Sequence, residues 1–293
     1  FRTILVIIQF SITIVLVIST LTVYNQFKYL TGKELGYNKE NVVRIRWNSE
    51  IQKNYEAMKD ELLKHPDIRT ITFANNSPLN VGNVNPPTWE GKQNPERVLF
   101  HFINADKEFI KLFGIELTAG RDFLKNHVQD EEVEYIVNEK AVEIMQLEDP
   151  IGKRFTMWDK SIEGTIVGVV KDFHFRPLTE EIGPLMISNM TWWNAYAFVK
   201  IDAENTRETL DYIREVYNKF SPGFPFNYGF IDEDVNNLYA DVNNFGKIIS
   251  YSAVLAMIIS VLGLTGLTVF MTELRTKEIS IRKVMGASVR TII

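Results

Sequence analysis

Apolar positions follow three regimes along this chain. Each end carries a long run without formal charge, Ile4–Tyr24 and Ile248–Thr272, and the region between mixes strand and helix periodicities. At about 1.5 Å per residue, either run is long enough to cross a hydrocarbon layer of roughly 30 Å as a helix. Val23, Phe27 and Leu30 continue the first run as a helical stripe, with Gly32 at its C-cap. The run is longer than the apolar core of a signal peptide. It is followed by Asn25-Gln-Phe-Lys-Tyr rather than by a small-x-small cleavage site, so a membrane helix is the expectation.

Between the runs, Asn41–Trp47 alternates as a strand, Tyr55–Leu63 reads as a helix with Met58, Leu62 and Leu63 inward, and Ile68–Ala74 is a second strand. Residues 75–96, rich in Asn, Pro and Gly, are expected to form a long structureless loop that carries function or moves, with Trp89 as a contact residue or as its anchor. A mixed block follows. Its strands are expected at 98–104, 133–137, 151–157, 164–172 and 185–188, and its helices at 107–113, closed by Gly114, and 139–145. Strand–helix–strand then returns: a strand at 195–201, a helix capped by Asn205 or Thr206 and burying Leu210, Ile213, Val216 and Tyr217, and a strand at 226–231. The two strand–helix–strand stretches are expected to form one small subdomain interrupted by the block. From Glu233, Val235, Leu238, Val242, Phe245 and Ile249 recur at helical spacing without a proline, predicting one continuous helix into the second apolar run. The fold class is therefore membrane α-helical plus extracytoplasmic α+β, with two long transmembrane and stalk helices flanking a two-subdomain unit.

Charge sets the orientation. Arg2 precedes the first run, while Arg275, Lys277, Arg282, Lys283 and Arg290 follow the second. Basic residues beside membrane ends stay cytoplasmic, whereas a long domain crosses regardless of its charge. Both termini are thus expected in the cytoplasm of a bacterial inner membrane, and residues of about 25–247 in the periplasm. The formal net charge is -5, and the basic flanks leave the middle more acidic still, which disfavours nucleic acid as a partner. With no cysteine, neither a disulfide framework nor a thiolate metal site is available. A chain that starts at Phe1 and stops at Ile293, where a new apolar stretch opens, is expected to be a fragment of a longer protein.

Catalytic chemistry finds no purchase. There is no G-x-x-x-x-G-K-S/T phosphate loop; Gly152-Lys153-Arg154 lacks the upstream glycine and the hydroxyl. There is no H-E-x-x-H, and the four histidines are scattered. Asp172 and His174 would share one strand face and could form a hydrogen-bonding pair, a metal site or an acid–base pair. No nucleophile–base arrangement stands out, so the expectation is a non-catalytic chain with no cofactor and no metal.

Two sets of residues are candidates for function. In the apolar runs, Gln9 shares a face with Thr13 and Thr20, and Ser252, Ala256 and Ser260 recur every four residues with Gly263 nearby. Polar and small positions of this kind are expected to pack helices together within a membrane. After the second run, Glu273–Lys277 and Glu278–Arg282 form helix-supporting i, i+4 pairs, and Gly286 stops the helix before Ser288 caps the next. An amphipathic basic segment of this kind suits either anionic lipid or a cytoplasmic partner.

The segment RTKEISIRKVMGAS, residues 275–288, resembles the signature of FtsX-like permeases, the membrane subunits of MacB-type ABC transporters. That pattern is close to R-T-K-E-I-G-I-R-K-x-x-G-A, with Ser280 standing where the family has glycine. The first apolar run and the stretches 102–123, 137–155 and 164–175 are likewise similar to MacB-like periplasmic core domains, most of all those of Bacteroidetes-type bacteria.

The resemblance implies a first transmembrane helix and stalk at 1–31 and a periplasmic core at 32–232. Within that core it implies porter-like parts at 40–76 and 194–232 with an inserted subdomain at 77–193. A second stalk and span follow at 233–272, and at 273–293 a coupling helix and the start of a further span. Glu273, Arg275, Lys277, Glu278, Arg282, Lys283 and Gly286 would then meet an ABC-type ATPase. A second permease copy or half, and a periplasmic or outer-membrane partner, are further expectations. Transport would proceed by mechanotransmission, with ATP hydrolysed on the partner. Two other readings stand beside this one. One is a two-span sensor with an extracytoplasmic ligand-binding domain; the other, a membrane-anchored hydrolase, lacks a catalytic constellation.

Overall fold

The computed structural model describes residues 2–92, 96–128, 131–158, 162–191, 194–238 and 240–286. In chain order, α1 (Arg2–Gly32) leads to β1 (Val42–Arg46), α2 (Ser49–Lys53), α3 (Tyr55–Leu62) and β2 (Ile68–Ala74). There follow β3 (Val84–Asn85), β4 (Thr88–Trp89), β5 (Phe100–Asn104), α4 (Phe109–Phe113), β6 (Leu117–Gly120), β7 (Val133–Asn138) and α5 (Glu139–Met145). Then come β8 (Arg154–Met157), β9 (Ile162–Val170), β10 (Leu185–Ser188), β11 (Tyr196–Ile201) and α6 (Thr206–Phe220). The chain ends with β12 (Tyr228–Phe230), α7 (Ile231–Leu238) and α8 (Ala240–Val284). Two compact units result, Lys33–Leu238 and the pairing of Phe1–Gly32 with Tyr239–Ile293.

Within Lys33–Leu238, β12, β1, β11 and β2 form in that order a four-stranded antiparallel sheet. Its two faces are sorted by the period of two along each strand. Val43, Ile45, Ile71, Phe73 and Val199 face a cluster with Met58 and Leu62 of α3 and Leu210, Ile213, Val216 and Tyr217 of α6. Val42, Ala74 and Phe198 point the other way, onto Phe109 and Phe113 of α4 and onto Ile136 and Ile187. Burial on both faces is why β1 opens with two adjacent valines rather than a strict alternation.

The second sheet takes its strands from residues 84–188, in the order β3-β5-β10-β7-β9-β8-β4 with β6 on β9. It is mixed: β5 with β10 and β7 with β9 run parallel. Phe100, Tyr135, Phe155, Ile166 and Met186 pack with Ala141 and Met145 of α5 on one face, while Ile103, Ile136 and Ile187 face the core shared with the first sheet. Gly164 is required where β9 meets β7: a Cβ there would lie 2.0 Å from the Val133 carbonyl oxygen.

Three expectations need correction here. The stretch 75–96 is not structureless, since β3 and β4 join the second sheet and Val81 is fully buried, its amide donating to Phe175 O at 2.9 Å. Residues 93–95 lie outside the described residues. Leu63 is 41% exposed, because α3 ends at Leu62 and one further residue turns about 100° off the buried stripe. Asn205 occupies the N-cap position of α6 without a side-chain cap, its amide donating instead to Asp67, while the Thr206 hydroxyl donates backward to Ala203 O. β6 and the short α2, capped by Asn48, were not anticipated from the pattern.

In the other unit, α1 and α8 pair antiparallel. Thr13 Oγ1 lies 2.6 Å from Ser260 Oγ, and a Cβ on Gly246 would lie 3.3 Å from Val23. Among the described residues one stretch, Asn244–Phe270, with mean hydropathy 2.3, is long and apolar enough to cross a membrane; Phe10–Gln26 is a shorter apolar helix. The expected continuous helix from Glu233 spans α7 and α8, and Tyr239 between them lies outside the described residues.

Candidate functional site

The contact stripe on α8 runs Gly246, Ile249, Ala253, Ala256, Ser260, Gly263, alternating steps of three and four. That is the 3.5-residue repeat of a left-handed helix pair, with small side chains where backbones come close. Of the residues singled out for packing, Ser260 is buried and bonded to Thr13, and Ala256 and Gly263 are half-buried. Ser252 is exposed and donates to Ile248 O at 2.9 Å; its place at the contact is taken by Ala253. A repeat of four drifts off a 3.5-residue seam within two turns, so 253, seven residues before 260, is the contact position. The side chain of Gln9 lies outside the described residues.

At the far end, α8 continues unbroken from the apolar stretch through Val284. Among the described residues no separate short helix follows the span, contrary to expectation, because residues 267–285 contain neither glycine nor proline to end the first. Thr272 and Thr276 back-bond to Thr268 O and Thr272 O along this stretch. The Met285 amide still donates to Ile281 O at 3.0 Å, and Gly286 then takes a φ of 90°, a left-handed terminus that suits glycine. Glu273 is exposed on this helix, whereas the side chains of Arg275, Lys277, Glu278, Arg282 and Lys283 lie outside the described residues.

In the globular unit, Asp172 and His174 do not form a joint site. The Asp172 carboxylate accepts from the Lys140 amide at 3.0 Å and from Asn138 Nδ2 at 2.7 Å, at the start of α5, and burial raises its pKa. The His174 amide donates to Leu35 O at 2.8 Å, and burial lowers the imidazole pKa. Among the described residues no group of three or more His, Asp or Glu side chains could hold a metal ion. Trp89 anchors its segment, its ring 5.8 Å from that of Phe100 and 4.5 Å from Lys92 Nζ.

A polar hub escaped the pattern altogether. Asp106 is fully buried and accepts from the hydroxyls of Thr72 and Tyr55 (2.6 Å for the latter), from Lys59 Nζ at 3.4 Å and from the Glu108 amide at 3.1 Å. It ties β2, α3 and the entrance to α4 together. Burial, with this carboxylate next to it, pushes the Tyr55 phenol far above its usual pKa. Beside the hub a cleft of about 470 Å³ opens between α3, β2 and β11 on one side and α4 on the other. Its lining includes Lys59, Arg69, Thr70, Glu108, Lys111 and Lys200.

The profile of the MacB-like periplasmic core domain matches residues 3–223. Among solved structures, the chain is similar to the periplasmic region of MacB from Actinobacillus actinomycetemcomitans, at 15% identity, 68% of this chain, 93% of that one and a TM-score of 0.47. It is also similar to a domain of a putative permease protein from Porphyromonas gingivalis, at 16% identity, 65% and 89% coverage and a TM-score of 0.44. The extracellular domain of the ABC-type transporter YknZ from Gram-positive bacteria gives 13% identity, 65% and 99% coverage and a TM-score of 0.44. No curated protein matches. The profile covers nearly all of α1, the first strand–helix–strand stretch, the block after it and the second stretch through α6, well over half of the chain, and the chain belongs to the family of MacB-like periplasmic core domains.

Proposed function

We propose that this chain is the permease subunit of a MacB/FtsX-type ABC transporter, relaying motion driven by an ATPase across the inner membrane to its periplasmic domain. The observation that carries this reading is a MacB-like periplasmic core domain joined, in one chain, to an antiparallel helix pair whose exposed surface is aliphatic. On this reading α1 and the apolar part of α8 are both membrane spans, both termini are cytoplasmic, and residues of about 25–247 are periplasmic. The core divides into porter-like parts at 40–76 and 194–232 and an inserted part at 77–193. Glu273, Arg275, Lys277, Glu278, Arg282, Lys283 and Gly286 meet the ATPase, the subunit works beside a second permease copy or half, and it catalyses nothing itself. Export or extraction of a substrate follows from closure of the ATPase, relayed along the helices.

Charge reversal at Lys277, Arg282 and Lys283 together tests the coupling segment. The expected result is loss of substrate-stimulated ATP hydrolysis in the assembled transporter with an unchanged periplasmic fold by circular dichroism; stimulation equal to wild type refutes it. A second reading, a two-span sensor, is favoured by one observation: α8 passes the end of the apolar stretch without a turn, as an output helix would. Co-purification of the full-length protein from its own membranes separates the two. A stoichiometric P-loop ATPase supports the permease, and a histidine kinase the sensor.

A further inference from the structure

The cleft beside Asp106 has a chemical bias that neither the fold nor the proposed function uses. Its floor is the second face of the four-stranded sheet, where Lys200 on β11 stands directly across from Thr70 on β2. Its roof is α4, which contributes Lys111 and, just before its first residue, Glu108. Lys59 and Arg69 complete the wall. Four of these lining groups are cationic and one is a carboxylate.

Two of the cations are already neutralised. Arg69 is bidentate to Asp202, with Nε at 2.8 Å, and Lys59 reaches Asp106 at 3.4 Å. Lys200 is held differently. Its ammonium donates to two neutral oxygens, Asn38 Oδ1 at 3.1 Å and the Glu40 carbonyl at 2.6 Å, which leaves a third N–H. Burial lowers its pKa, and the more distant Glu40 carboxylate does not offset that. A half-buried ammonium fixed by carbonyl-type oxygens, without a carboxylate on it, is stabilised by an anion. Lys111, also without an ion pair among the described residues, overhangs the same space, and the Thr70 hydroxyl adds a donor on the floor. The volume is in the range of small-ligand sites, which favour junctions between packed layers of this kind.

We propose that this cleft binds an oxyanion, a carboxylate or phosphate group carried by a small molecule, through Lys200, Lys111 and the Thr70 hydroxyl. Glu108 on the roof limits the charge accepted, turning away ligands that present several unshielded anions. The site depends on the geometry of the globular unit alone, so it stands or falls separately from the transporter reading.

The test is calorimetric titration of the full chain in detergent with inorganic phosphate and, separately, with acetate, which distinguishes the two oxyanions. At least one should bind saturably, and Lys200→Met and Lys111→Met should each weaken it about ten-fold, since each removes one charge-assisted hydrogen bond. Lys153→Met, paired with Glu90 beside β4 and β8 and not in the cleft lining, should leave affinity unchanged. Because Lys200 makes no ion pair among the described residues and is only half-buried, its replacement by methionine should change the melting temperature little, and a melt without anion checks this. If Lys200→Met fails to fold, Thr70→Val with Lys111→Met replaces it and carries the same expectation. Absence of saturable binding by either anion, or undiminished binding in the Lys111→Met, Lys200→Met double variant, overturns the proposal.

Discussion

In the unit Lys33–Leu238, Phe100, Phe109 and Phe155 are fully buried, whereas Arg69 and Lys171, each in an ion pair, lie toward the surface. In the helix pair the order is reversed. Among the described residues the buried positions are Thr13, Ala253 and Ser260, while Ile14, Ile18, Val261 and Leu262 are more than half exposed. The first arrangement is what water imposes, since burying apolar area is the main favourable term. The second is the arrangement expected of the membrane spans proposed above, where aliphatic side chains gain nothing by turning inward and close backbone approach holds helices together. On that proposal one chain meets two solvents, and what stabilises one half would destabilise the other.

The strongest way to break the contrast is to attack the polar centre of the globular unit. Asp106→Ala leaves Lys59, Tyr55 and Thr72 without their shared acceptor. It should cost about 3–5 kcal/mol, in the range of other broken buried ion pairs, read as a lowered urea midpoint for the periplasmic fold. Next in size, Leu262→Asp places a carboxylate on the exposed, apolar surface of α8. On a water-exposed surface it would be nearly neutral; facing lipid at mid-helix it should cost about 3 kcal/mol of insertion free energy, seen as reduced membrane integration of the helix. Wild-type integration of that variant would refute the two-solvent account. The smallest expected effect is Ser260→Ala, which removes the bond between the helices and should cost about 0.6 kcal/mol in a steric-trapping or denaturant assay in lipid.

Legibility in the sequence followed the same division. Where a strand has water or a helix on a defined side, alternation placed it well: β1, β2, β10 and β11 lie within a residue or two of the positions their patterns mark. The stripe of Leu210, Ile213, Val216 and Tyr217 on α6 is buried as its spacing required. β3 and β4, two residues each, are too short to show any period, and their pairing with β5 and β8 comes from distant segments. Asp106 reads locally as a helix-start residue; only the fold brings Tyr55 and Thr72 to it. The same holds for the cleft, whose Lys59, Lys111 and Lys200 come from three separate elements. On α8, Ser260 was visible as a small polar residue in an apolar run, but distinguishing Ala253 from Ser252 needed the period of the pair, which depends on the partner helix.

The Thr13–Ser260 contact has a mechanical consequence. Hydroxyls on a helix have a ready fallback, the carbonyl four residues earlier, and Thr20, Thr22 and Ser250 already use it. If one helix slides past the other by a turn, about 5.4 Å, each hydroxyl loses its partner without being left unsatisfied. The small residues above and below, Ala253, Ala256 and Gly263, offer little to catch on. If the helices slide as the proposed function requires, the contact would serve as a clutch: it defines a rest position between two rods, yet would release under modest load and re-engage when the load is gone.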